Sequence, residues 1–126
     1  ESYIDKRQAS SKHLYSASVT AMHENYLKPQ ENGSHWDCSY VQIAGPAARL
    51  SVTGSSFSFS ASPYTQEELT AKAHAFEIEP SGSTVVCLDA LMAGIGSNSC
   101  GPEMDEKYRT GKKIDFSWTI VPQKMN

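Results

Sequence analysis

The segment Ser56-Phe57-Ser58-Phe59-Ser60-Ala61 alternates a small polar residue with an apolar one. In an extended chain this places Phe57, Phe59 and Ala61 on one face and the serines on the other, a period that no helix can use. The same period recurs. Trp36 to Ile43 puts Trp36, Cys38, Tyr40 and Gln42 on one side and Val41 and Ile43 on the other, so both faces carry apolar groups and the strand is expected to be covered twice. Ile114 to Ile120 alternates strictly, which predicts Ile114, Phe116, Trp118 and Ile120 inward. Arg49 to Thr53 and Thr84 to Asp89 read as further strands, and Tyr15 to Met22 as a strand with one wet face. Both tryptophans are expected in the core.

Turn residues separate these pieces: PQENG at Pro29 to Gly33, Ala44-Gly45-Pro46, Gly54-Ser55 and Pro80 to Ser83. Gaps this short favour antiparallel neighbours over helical crossovers. Only Thr65 to His74 argues for a helix, because Thr65 and Glu68 have the spacing of a capping box. His74 near its end reads as a structural or solvent-facing side chain. The expected fold is all-β, an antiparallel β-sandwich with one short helix, formed by residues 1–126 as one domain.

Composition narrows the function classes. Of 126 residues, 39% are apolar, enough for one core. Eleven basic side chains against 14 acidic ones give a net charge of −3, with the basic residues dispersed except Lys112 and Lys113. A nucleic-acid surface needs clustered positive charge, so no nucleic-acid partner is expected. No apolar run approaches the ~18 residues of a membrane span, and no membrane partner is expected. The chain opens at Glu1 without a leader pattern, which reads as a piece of a longer protein. Cys38, Cys87 and Cys100 are odd in number and contain no CxxC, which favours a reducing compartment, the cytoplasm. Cys87 sits in an apolar run and reads as a small buried hydrophobe.

The stretch LMAGIGSNSCGP, Leu91 to Pro102, is the most pliable in the chain. It lacks the third glycine of a dinucleotide fingerprint and the lysine of a phosphate-cradling loop. It reads instead as backbone that passes close to something, with Ser97, Asn98 and Ser99 available to bond it. Cys100 as a nucleophile needs a base or a positive neighbour, and His13, His23, His35 and His74 are too dispersed to supply one. The histidines show no metal-ligand spacing. Glu67 and Glu68 read as helix-start residues, and Glu103 to Lys107 as a solvated loop. No catalytic acid and nucleophile pair is visible.

In order and spacing the chain resembles the C-terminal part of the large bacterial β-galactosidases of glycoside hydrolase family 2. The resemblance is carried by PQENG with Trp36 after it, by Phe57 to Ala61 followed by Tyr64-Thr65-Gln66-Glu67-Glu68-Leu69 and His74, and by Leu88-Asp89. The loop Met92 to Pro102 and the closing Phe116-Ser117-Trp118 complete it. In that family the last domain is a large β-sandwich, of which this chain corresponds to the second half. The family's catalytic glutamates stand on a barrel in the middle of the enzyme and work by a retaining mechanism. Neither falls within the matching region, and the family's magnesium and sodium ligands also belong to other domains, so no cofactor is expected on this chain.

The resemblance implies that the parent hydrolyses terminal β-D-galactosides such as lactose, and that this portion is inactive alone. One loop of the last domain reaches the sugar, and the position where some members place a stacking tryptophan falls on Cys100. A thiol offers less face to a pyranose than an indole does. Cys100, Asn98 and Ser99 are thus the expected substrate-binding residues, while plain loop hydrogen bonding remains the competing reading for Ser97, Asn98 and Ser99. The expected partners are a galactoside, the remaining domains of the parent enzyme and a second copy of the chain. Two alternatives stand beside this one: a carbohydrate-binding module, marked by grouped exposed aromatics such as Tyr26, Tyr40, Tyr64 or Tyr108, and a purely structural sandwich domain. An exposed apolar patch would favour the enzyme portion or the structural domain over the binding module.

Overall fold

The computed structural model describes residues 14–91, 105–106, 109–111 and 113–125. Its elements run α1 (Val19–Met22), β1 (His35–Ala44), β2 (Ala48–Ser62), α2 (Gln66–Ala71), a 3₁₀ turn (Ala75–Glu77), β3 (Val85–Asp89) and β4 (Trp118–Lys124). The strands form one antiparallel sheet in the order β1-β2-β3, with β4 also pairing with β2. This is the all-β architecture expected, with β2 as its common member.

The expected break at Gly54-Ser55 does not occur, and both flanking segments merge into the 15 residues of β2. Gly54 faces Trp118 across the β2–β4 pair, and a Cβ there would lie 2.6 Å from the indole. The glycine makes room for a ring and does not turn the chain. Two residues later Ser56 adopts φ 38, and Asp37 on β1 adopts φ 56. Ser56 Oγ donates to Asp37 Oδ1 at 2.8 Å, so the two left-handed residues face each other across the hairpin and distort it together.

The chain divides into two compact units, and β2 passes from one into the other. The first holds, among the described residues, 36–58 and those from Asp89 onward. Its hairpin is closed by Gly45 N–H donating to Ala48 O at 2.8 Å, and Gln42 Nε2 reaches Ser51 Oγ at 3.3 Å in the same register. β4 runs antiparallel to β2 from Ala48 opposite Lys124 to Gly54 opposite Trp118. Val41, Val52 and Phe57 are buried, Val52 completely, and Trp118 packs edge-on to Phe57 at 6.2 Å between ring centres.

The second unit holds residues 14–35 and 59–88. Ala61, Leu69 and Pro29 are buried in it. Thr65 Oγ1 accepts from Glu68 N at 3.1 Å and starts α2 as expected. The other half of the capping box is not closed, because Glu68 Oε1 accepts from Glu79 N at 2.9 Å instead. His74 lies beyond the helix, half exposed, stacked on Phe76 and 3.5 Å from Glu77 Oε2.

Four expectations need correction. Tyr15 to Met22 is not a strand: Ser18 Oγ accepts from Ala21 N at 3.2 Å and winds Val19–Met22 into one helical turn, a local bond that competes with a ladder. β1 is not covered on both faces, since Val41 is buried while Trp36 and Tyr40 are 39% and 48% exposed. The closing strand begins at Trp118, where β2 offers a partner, and Ile114, Phe116 and Ile120 are exposed. Cys87 is half-buried and not fully enclosed.

Candidate functional site

Cys100, Asn98 and Ser99, the sequence-predicted sugar contacts, lie outside the described residues, as does Tyr108. What the structure does bring together are two other motifs of the sequence, PQENG and Tyr64-Thr65-Gln66, which meet in the second unit.

The PQENG segment is a pin. Pro29 is buried. Asn32 Nδ2 donates to Glu24 O at 2.9 Å and to Gln30 O at 3.3 Å, while its Oδ1 accepts from Glu24 N at 3.0 Å. One amide therefore ties its own stretch of backbone to Glu24, eight residues before it, using both its donor and acceptor ends. Gly33 follows with φ +70, and a Cβ on it would lie 2.8 Å from Met22 O. Both facts require glycine there. His35 Nδ1 lies 2.9 Å from Gly33 O, which fixes the proton on Nδ1, and the ring stacks on Phe59 with centres 4.8 Å apart.

The pinned segment borders a recess lined by His23, Asn32, Ser60, Tyr64, Gln66 and Cys87, with Leu69 and Val85 among the apolar neighbours. His23 meets Tyr64 edge-on at 4.8 Å and lies 3.4 Å from Asn32 Nδ2. Gln66, in the first turn of α2, points its Nε2 to Cys87 Sγ on β3 at 3.6 Å. The recess has room for an ordered water. Amides, hydroxyls and one imidazole can orient a small polar group here.

Glu67 and Glu68 occupy the first turn of α2, where carboxylates are favoured by the helix dipole, and Glu68 is engaged by Glu79 N and Lys72. Among the described residues no three His, Cys, Asp or Glu side chains converge as metal ligands would. Burial, and then the neighbouring Asp37 charge, push the Cys38 thiol up and keep it protonated. No helix among the described residues is long and apolar enough to cross a membrane.

Sequence reasoning named PQENG and Tyr64 to Leu69 as marks of resemblance and missed that they share one recess. The signal was present in their residue types, since an Asn-Gly pair and a Thr cap both demand specific backbone partners.

Comparison with known proteins follows the same lines. The pattern of a family described as "Beta galactosidase small chain" matches residues 1–120. A β-galactosidase of Actinobacillus pleuropneumoniae is 47% identical over 110 residues, covering 86% of this chain and 10% of that protein. Those of Staphylococcus xylosus and Kluyveromyces lactis are 37% and 32% identical, each covering 94% of this chain and 12% and 11% of their own length. The chain spans about a tenth of the length of the β-galactosidases it matches. The match over residues 1–120, with 47% identity to one β-galactosidase over 86% of the chain, places this chain in the β-galactosidase small chain family.

Proposed function

We propose that residues 1–126 are the second half of the C-terminal β-sandwich of a retaining β-galactosidase that hydrolyses terminal β-D-galactose residues such as those of lactose. The portion is inactive alone and supplies the loop Met92 to Pro102 to the rim of a sugar pocket built by other domains. Cys100, Asn98 and Ser99 contact the substrate there. The acid, the nucleophile and the magnesium and sodium ligands stand on the remaining domains, and the enzyme works in the cytoplasm. The observation that carries this reading is the 47% identity to a β-galactosidase over 86% of the chain.

The exposed apolar residues Ile114, Phe116 and Ile120 support a portion made to be covered.

The test is a chimera in which this chain replaces the matching segment of the Actinobacillus pleuropneumoniae enzyme. Lactose hydrolysis within about tenfold of the parent is expected, and none by the chain alone. Cys100→Trp should lower KM for lactose roughly two- to tenfold by giving the aglycone a stacking face. A chimera that assembles to the parent's size but hydrolyses nothing would sink the reading.

A further inference from the structure

Asn32-Gly33, which pins the second unit, is the only Asn-Gly pair in the sequence, and it is chemically labile. Asparagine is a thermolabile residue, and a glycine after it leaves its own backbone nitrogen unshielded by a side chain. That nitrogen can attack the side-chain amide carbon. Gly33 N forms a bond to Asn32 Cγ, the Cγ–Nδ2 bond breaks, and Nδ2 leaves as ammonia, taking up through solvent the proton that Gly33 N loses. Water then opens the cyclic imide at either carbonyl, which leaves aspartate or isoaspartate at position 32. The balance needs only water.

The fold holds both reactants. Asn32 Oδ1 accepts from Glu24 N while Nδ2 donates to Glu24 O and Gln30 O, so swinging the amide toward Gly33 N breaks bonds at both of its ends. Gly33 is itself fixed at φ +70 against Met22 O. What surrounds the pin is weakly held. Residues 23–34 form neither helix nor strand, and between His23 and Asn32 only Pro29 is buried. Tyr26 and Leu27 are 64% and 80% exposed. A segment that buries so little opens locally at lower cost than the sheet.

We propose that Asn32 is a self-deamidation site gated by its own hydrogen bonds, and that its conversion releases the pin in one direction. While the pin is closed the amide is kept from Gly33 N. Each opening frees amide and glycine together. Once converted, the side chain is a carboxylate, which accepts hydrogen bonds and donates none. Glu24 O and Gln30 O then lose their donor, and a negative charge is added to a segment that already holds Glu24 and Glu31. Isoaspartate also lengthens the main chain by one methylene beside Gly33, where Met22 O leaves no room for a Cβ. The pin cannot close again, and the recess loses its Asn32 wall. This site is independent of the proposed function.

Peptide mapping by mass spectrometry tests this on the full 126-residue chain, incubated folded and in urea in mildly alkaline buffer at physiological temperature. Conversion at Asn32 should be at least about tenfold slower in the folded chain. The ratio of the two rates should match, within about threefold, the open fraction of Glu24 N–H read by hydrogen exchange in the folded chain. Glu24→Pro removes the donor to Asn32 Oδ1, and His23 before it is already extended at φ −82 and ψ 125, as a following proline requires. This variant should bring the folded rate toward the urea rate. Asn32→Asp should lower the urea midpoint. Equal rates folded and in urea, or a folded rate unchanged in Glu24→Pro, overturn the gate. No conversion in urea overturns the chemistry, and an unchanged midpoint in Asn32→Asp overturns the one-way release. Where Glu24→Pro does not fold, the exchange comparison decides: an open fraction that departs from the rate ratio overturns the gate.

Discussion

Gly33 shows how a single residue carries a local fold. It combines φ +70 with a backbone carbonyl 2.8 Å from the place a Cβ would occupy, so alanine is strained twice. Gly33→Ala should cost about 1–3 kcal/mol in urea unfolding, with the loss centred on the Asn32 pin. That Asn-Gly marked a turn was legible in the sequence. That its amide would tie to Glu24, eight residues away, was not, because a side chain with two donors and an acceptor can be satisfied by any backbone within reach. Gly54 taught the opposite lesson. It read as a break and proved to be a clearance for Trp118, a partner more than sixty residues along the chain that no local pattern announces.

At the scale of elements, short-range chemistry decided starts and stops. Thr65 begins α2 because its hydroxyl satisfies Glu68 N, and this was readable from spacing. The following 3₁₀ turn depends on Glu77, whose carboxylate accepts from His74 N at 2.8 Å and Ala73 N at 3.0 Å. The His74 bond is the main cause that holds this carboxyl below the usual carboxylate range, with the bond from Ala73 and the His74 ring adding to it. A carboxylate with a lowered folded pKa stabilises above its unfolded value and loses that contribution as pH falls through the folded one. Acid destabilisation of the turn is therefore expected below the ordinary value of 4.5, and Glu77→Gln should flatten it. Thermal melts of both proteins between about pH 3 and pH 5 check this. Strand ends obeyed a different rule. β4 was expected at Ile114–Ile120 from alternation, but a strand extends only as far as its partner supplies hydrogen bonds, and β2 supplies them from Trp118 to Lys124.

For the whole molecule, few side chains hold the core. Among the described residues the buried apolar ones are Pro29, Val41, Val52, Phe57, Ala61 and Leu69. Phe57→Ala should cost about 3–5 kcal/mol, a large fraction of the stability of a small domain, and unfold much of the chain as read by circular dichroism at room temperature. The sequence by itself determined the all-β class, the short antiparallel connections, the start of α2 and the resemblance to β-galactosidases. All of these depend on residues near one another in the chain, where alternation, turn chemistry and capping act. Only the tertiary structure decided that Gly54 lies inside a continuous strand, that PQENG and Gln66 border one recess, and that the alternation closing the chain faces outward. Those outcomes depend on which distant segment lies across each residue, and alternation states that a face is apolar without stating what covers it.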